Sequence, residues 1–191
     1  MKRIILMILS LTLILSLSAC SMLDEITAGN NNTQSVQDNP AVTDSIEDTS
    51  DTAYPDFTVY DYSGNAVSLS DKLGDGKPVV FNYWTTWCPY CLEEMPDFEE
   101  VYKEYGDRVT FMIIDVNGGG NDTIPEAKSY IDEKGYTFPV YYDTNLSATY
   151  AYNVSAFPTT GIVDAKGNIY YCQAGMLNKD KLITMIEDIL K

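Results

Sequence analysis

The stretch Trp84-Thr85-Thr86-Trp87-Cys88-Pro89-Tyr90-Cys91 decides how this chain is read. It ends an apolar run over residues 78–84 and opens a segment where Met95, Phe98, Val101, Tyr102 and Tyr105 recur at helical spacing. That order predicts a buried strand feeding a helix, with both cysteines in the helix's first turn. Backbone N–H groups there lack partners and the macrodipole is positive, so a thiolate is favoured over a thiol. Such settings bring a cysteine pKa from about 8.5 into a range of roughly 3.5 to 7.5. Disulfide exchange is the chemistry that fits this placement. The plainer alternative is a structural disulfide in an oxidising compartment. A bridge closing so short a loop gains little from chain entropy, which favours the redox reading.

Residues 1–19 begin with Lys2 and Arg3, continue as an apolar run and end in the small residues Ser18 and Ala19 before Cys20. A basic start, an apolar middle and a small-residue end describe an export signal. The sequence Leu17-Ser18-Ala19-Cys20 resembles a bacterial lipoprotein signal, which implies that Cys20 becomes the lipidated first residue. The alternative is an uncleaved anchor, for which the apolar segment is short. Both place the remainder outside the cytoplasm. Residues 20–53 change character, with seven acidic side chains (Asp24, Glu25, Asp38, Asp44, Glu47, Asp48, Asp51) and no Lys or Arg. Such composition cannot bury enough apolar surface to offset ordering entropy, so a disordered acidic tether spanning roughly 30 Å is expected.

Residues 54–191 suit one domain with an ordinary core. The formal net charge of −16 excludes nucleic acid as a partner, since nothing would neutralise its phosphates. With one C-x-x-C and no histidine, a four-ligand zinc site lacks material, and no metal is expected. Cys172 reads as a buried small hydrophobe.

Alternation at Phe57–Tyr60 and again at 66–69 predicts a hairpin, followed by a short turn capped by Ser70 or Asp71. The run at 109–116 predicts a central strand buried on both faces. Gly118-Gly119-Gly120 reads as a flexible connection, since it lacks the spacing of a phosphate loop. A helix capped by Asn121 or Asp122 should reach Lys134 before Gly135. Strands are expected at 138–142, 159–163 and 169–174, with a short helix at 146–150 and a last helix begun by Asn178. Pro96 should kink the helix after the cysteines. The outcome is an α/β sandwich around one mixed central sheet.

Several features together resemble the TlpA/ResA-like branch of the thioredoxin superfamily. They are Pro55-Asp56-Phe57, the Gly64 hairpin, residues 81–91 ending in Trp87-Cys88-Pro89-Tyr90-Cys91, Phe138-Pro139, and Phe157-Pro158-Thr159-Thr160-Gly161. The resemblance implies a thioredoxin-like sandwich with an added N-terminal β-hairpin and a central helix-strand insertion. It also implies a membrane-anchored thiol-disulfide oxidoreductase whose only redox group is the Cys88–Cys91 disulfide. Cys88 is then the nucleophile and Cys91 the resolving thiol. Glu94, three residues after Cys91 and on its helix face, is the candidate proton acceptor; the family has a glutamate at this spacing. Asn82 stands where thioredoxin has a buried acid. Pro158 matches a family cis proline packed against the cysteines. Trp87, Pro89, Tyr90, Phe157 and Thr159 are expected to frame a docking face for an extended substrate segment.

As partners the resemblance implies a membrane thiol electron carrier and oxidised extracytoplasmic proteins, apocytochrome c or methionine sulfoxide reductase among them. The chain is expected to act as a monomer held at the outer face of the bacterial cell membrane by its lipid. Two other functions are open on the residues alone. A thiol peroxidase would use Thr85, three residues before Cys88, although Phe81 stands where that family has proline. A non-enzymatic lipoprotein module would use the cysteine pair merely to close a turn.

Overall fold

The computed structural model describes residues 54–191; the expected export signal at 1–19, Cys20 and the expected acidic tether at 20–53 lie outside the described residues. Strands β1 (Thr58–Tyr60) and β2 (Ala66–Ser68) form the expected antiparallel hairpin, with Val59 opposite Val67. Helix α1 (Leu69–Leu73) follows at once. Its cap is Ser68 rather than Ser70 or Asp71: Ser68 Oγ accepts from the Asp71 N–H, and the Asp71 carboxylate accepts from the Ser68 N–H. This reciprocal pair satisfies two otherwise free donors, and it needs the acid three residues after the cap.

The apolar run before the cysteines is β3 (Val79–Trp84), buried along its whole length. Helix α2 (Pro89–Tyr105) comes next and continues through Pro96 without interruption. Then come β4 (Thr110–Asp115), α3 (Ile124–Lys134), β5 (Val140–Tyr142), α4 (Ser147–Ala151), β6 (Thr159–Val163), β7 (Ile169–Ala174) and α5 (Lys179–Ile189). The sheet order is β2-β1-β5-β4-β3-β6-β7. The three strands β3, β4 and β5 run parallel, and β1, β2, β6 and β7 each pair antiparallel to their neighbours. Thus β4 is the middle strand, as its unbroken apolar pattern predicts.

The pleat of β3 divides the core. Val80 and Trp84 face a layer with Cys88, Cys91, Met95 and Phe98 of the α2 region, Ile131 of α3 and Ile186 of α5. Val79, Phe81 and Tyr83 face the other layer, with Leu69 and Ala148. Gly161 on β6 lies so close beneath Phe81 that a Cβ there would sit 2.1 Å from its ring, so the strand needs glycine at this point.

Other differences from the sequence reading have local causes. Helix α3 is capped by Thr123, whose hydroxyl accepts from the Glu126 N–H, because Asp122 is engaged elsewhere. Gly118 is less a flexible link than a close approach: a Cβ would lie 2.7 Å from the Thr144 carbonyl. Strand β5 starts at Val140 because the Phe138 N–H is spent on Glu99 and Pro139 has none to give. Glu99 is buried and accepts from the Thr137 N–H at 2.8 Å, its hydroxyl at 2.8 Å, and Lys103 at 2.9 Å. Burial pushes its carboxyl up, but these donors outweigh that and hold it below the usual range.

Candidate active site

The Cys88 backbone is extended (φ −93°, ψ 104°) and its sulfur accepts from the Cys91 N–H at 3.2 Å, making it the N-cap of α2. Pro89 at the first helical position suits a site where an N–H would have no partner. Cys88 and Cys91 form a disulfide with their Cα atoms 5.3 Å apart. Cys88 retains 4% of its surface and Cys91 none, so the sulfur nearer the helix end is also the more accessible.

The Phe157–Pro158 bond is cis and leads into β6. The Pro158 carbonyl accepts from the Gly175 N–H at 2.8 Å, which ties the turn to the end of β7. Trp87 is 53% exposed and meets the Phe157 ring edge-to-face at 5.9 Å. Tyr90 and Pro89 are also exposed. Tyr90, Phe157, Pro158, Gly175 and Met176 line a shallow groove of about 300 Å³ beside the cysteines. Thr159 is not part of this face. It is buried, and its hydroxyl donates to the Ala156 carbonyl at 2.7 Å, so it braces the proline turn instead. Sequence reading missed Gly175 and Met176, because their place depends on how β7 returns to the site.

Glu94 is fully enclosed, one turn below Cys91 on the same helix face. Its Oε1 accepts from Asn82 Nδ2 at 2.8 Å, and its Oε2 accepts from the Leu177 N–H at 2.8 Å. Asn82 Nδ2 also donates to Thr160 Oγ1 at 3.1 Å. Burial pushes the Glu94 carboxyl up to about 7, against the pull of its two donors. Such a group changes protonation near neutral pH, as a proton acceptor must. Glu94 is therefore not a solvent-exposed helix carboxylate. Leu177 could not be foreseen, since it acts through its backbone from 83 residues away.

Thr85 is buried, and its hydroxyl has no hydrogen-bond partner among the described residues. Cys172 is a free, half-buried thiol on β7 opposite Gly161, and burial pushes its pKa up. An elevated pKa leaves little thiolate at neutral pH, so it is a poor nucleophile.

Comparison with known proteins agrees with this geometry. The AhpC/TSA family model matches residues 51–172. The chain is 34% identical over 129 residues to the thioredoxin-like protein YneN of Bacillus subtilis, covering 67% of this chain and 73% of that one. It is 33% identical over 139 residues to the thiol-disulfide oxidoreductase ResA of Oceanobacillus iheyensis, covering 72% and 71% respectively. Among solved structures, the pneumococcal exposed lipoprotein thioredoxin of Streptococcus pneumoniae superposes with a TM-score of 0.61 at 27% identity, covering 70% of this chain and 98% of that one. A thioredoxin-like sheet with its cysteine pair at a helix N-terminus, and these relatives, together place the chain in the ResA-like family of thiol-disulfide oxidoreductases.

Proposed function

We propose that the protein reduces disulfides of partner proteins outside the cytoplasm, using Cys88 and Cys91 as its dithiol. The observation that carries this is Cys88 as the cap of α2, with Cys91 one turn deeper and Tyr90 between them sharing a groove with Pro158. In the reduced protein the Cys88 thiolate attacks one sulfur of a partner disulfide. The partner's S–S bond breaks, a Cys88–partner bond forms, and the other partner sulfur leaves as a thiolate that takes a proton. Cys91 then gives its proton to the Glu94 carboxylate and attacks Cys88 Sγ. The partner's second thiolate departs, and the protein is left with the Cys88–Cys91 disulfide, two electrons having passed to the partner.

Trp87, Tyr90, Phe157 and Met176 offer an apolar surface for the chain around the partner's cysteine, with main-chain pairing at the Phe157-Pro158 turn. No cofactor enters this cycle; a thiol carrier in the membrane would return the protein to its dithiol form. The extracytoplasmic setting is supported by the lipoprotein-like Leu17-Ser18-Ala19-Cys20 and by the pneumococcal lipoprotein relative.

A redox titration of the Cys88–Cys91 couple tests the direction of electron flow. A reductant is expected to have a midpoint below about −200 mV, on the thioredoxin side of the range. A midpoint near −120 mV, as in strong oxidants, would reverse the proposal.

A further inference from the structure

The turn that presents Cys88 is held by one buried carboxyl group outside the exchange steps, Asp122, and a second buried carboxyl, Asp115, lies in the same sheet layer. Asp115 ends β4, in register with Trp84 of β3 and Tyr142 of β5. It is wholly buried, and neither carboxyl oxygen has a hydrogen-bond partner among the described residues. By the alternation of β4 it shares the sheet face of Phe111 and Ile113, the layer that holds the cysteines. Asp122 enters that layer from the loop before α3 and is also buried. Its Oδ2 accepts from the Thr86 N–H at 2.5 Å; its Oδ1 accepts from the Thr86 hydroxyl at 2.7 Å and the Thr123 N–H at 3.0 Å. Thr86 lies two residues before Cys88, so one carboxylate grips both the backbone and the side chain of the nucleophile's turn.

We propose that Asp122 is a positioning residue for thiol exchange, fixing the turn that presents Trp87 and Cys88. The role rests on the exchange reading above.

The charge balance supports it. Asp122 faces three donors, which suits a carboxylate. A second carboxylate beside it at full burial would be repelled and unsolvated, so Asp115 keeps its proton. Burial first, then the Asp122 charge, pushes the Asp115 carboxyl up to about 9. The other titratable groups on this side do not replace that proton. Tyr142 of β5, near Tyr62 and Asp132, is pushed up to about 12 by burial and then by Asp115. Glu94 of α2 is committed to Asn82 and Leu177. Tyr130 of α3 packs on Trp84 and is pushed up to about 12 by burial and its neighbour Tyr136.

The test reads insulin-disulfide reduction, the pH profile of Cys88 alkylation and the melting temperature of full-length protein. Asp122→Ala is expected to lower kcat/KM about tenfold and to shift the alkylation profile, since small misplacements of reacting groups are costly. Asp122→Asn keeps an acceptor for Thr86 and is expected to recover most of that loss. If Asp122→Ala does not fold, Thr86→Val removes one of the two bonds and should move both readouts in the same direction by less. A lower melting temperature with unchanged kcat/KM and alkylation profile would reduce Asp122 to a structural brace and overturn the proposal.

For Asp115 the sign is that of a raised carboxyl: its stabilising share is complete below the ordinary 3.8 and lost as pH rises through about 9. Asp115→Asn cannot ionise, so its melting temperature should climb relative to wild type across that window. A constant difference would contradict a raised Asp115 carboxyl. An inactive wild type would instead remove the exchange reading, and this role with it. That result is distinct from an active wild type indifferent to Asp122.

Discussion

Cys88→Ser is expected to abolish disulfide exchange, by about three orders of magnitude or more, because the hydroxyl cannot replace the thiolate that makes the first bond. Cys91→Ser should also lose turnover, but by a different route. Its Cys88 still attacks, and with no second thiol one turn deeper the Cys88–partner bond persists. Non-reducing electrophoresis with mass spectrometry should therefore find covalent adducts on Cys91→Ser and none on Cys88→Ser. The structure makes the asymmetry physical: Cys88 caps α2 at the edge of the groove, while Cys91 is wholly enclosed. Adducts on the Cys88→Ser form instead would exchange the two roles.

Glu94→Gln is expected to produce the second large effect, read as pH dependence. A carboxyl pushed up to about 7 becomes a competent proton acceptor as pH rises through neutrality. Resolution of the mixed disulfide should therefore quicken through pH 7 in wild type, and this rise should be missing in Glu94→Gln, with a loss of about 10²-fold above pH 7. Stability carries a matching signature. Because the folded pKa is raised, Glu94's contribution is complete below the ordinary 4.5 and lost as pH climbs through about 7. At 1.36 kcal/mol per pKa unit the change is on the order of 3 kcal/mol. The glutamine variant should lack that slope in urea unfolding. It should also start from a lower level at acid pH, because an amide N–H₂ facing the Leu177 N–H leaves that donor unpaired. Identical slopes and rate profiles for the two proteins would make Glu94 a structural carboxylate.

The fold was legible in the sequence wherever one residue pattern had one physical meaning. The run at 109–116 could only be a strand buried on both faces, and it is the middle strand. The exact bounds of β6 and β7 followed from β-rich runs separated by the tight turn at 164–168. Helix caps were less legible: Ser68, Ser70 and Asp71 are all competent, and only the reciprocal bond between Ser68 and Asp71 decides. The two cysteines, Glu94 and Pro158 could be named because their spacing is local or their motif specific. What surrounds them could not. Leu177, Thr160 and Met176 reach the site through strand pairing across the sheet, and no local pattern records that. An acid before a helix usually caps it, so the sequence offers Asp122, like Asn121, as a cap for α3. The commitment of Asp122 to Thr86, 36 residues earlier, exists only in the folded chain.

The central claim is that the sulfur capping α2, not the one buried beneath it, makes contact with the partner. Site-resolved alkylation tests it most directly: reduced wild-type protein is pulsed with iodoacetamide near neutral pH, and each cysteine's modification is followed by peptide mass spectrometry. Cys88 is expected to be labelled at least about tenfold faster than Cys91 and Cys172, as helix-end thiolate character and access require. Equal rates, or faster labelling of Cys91, would contradict the account.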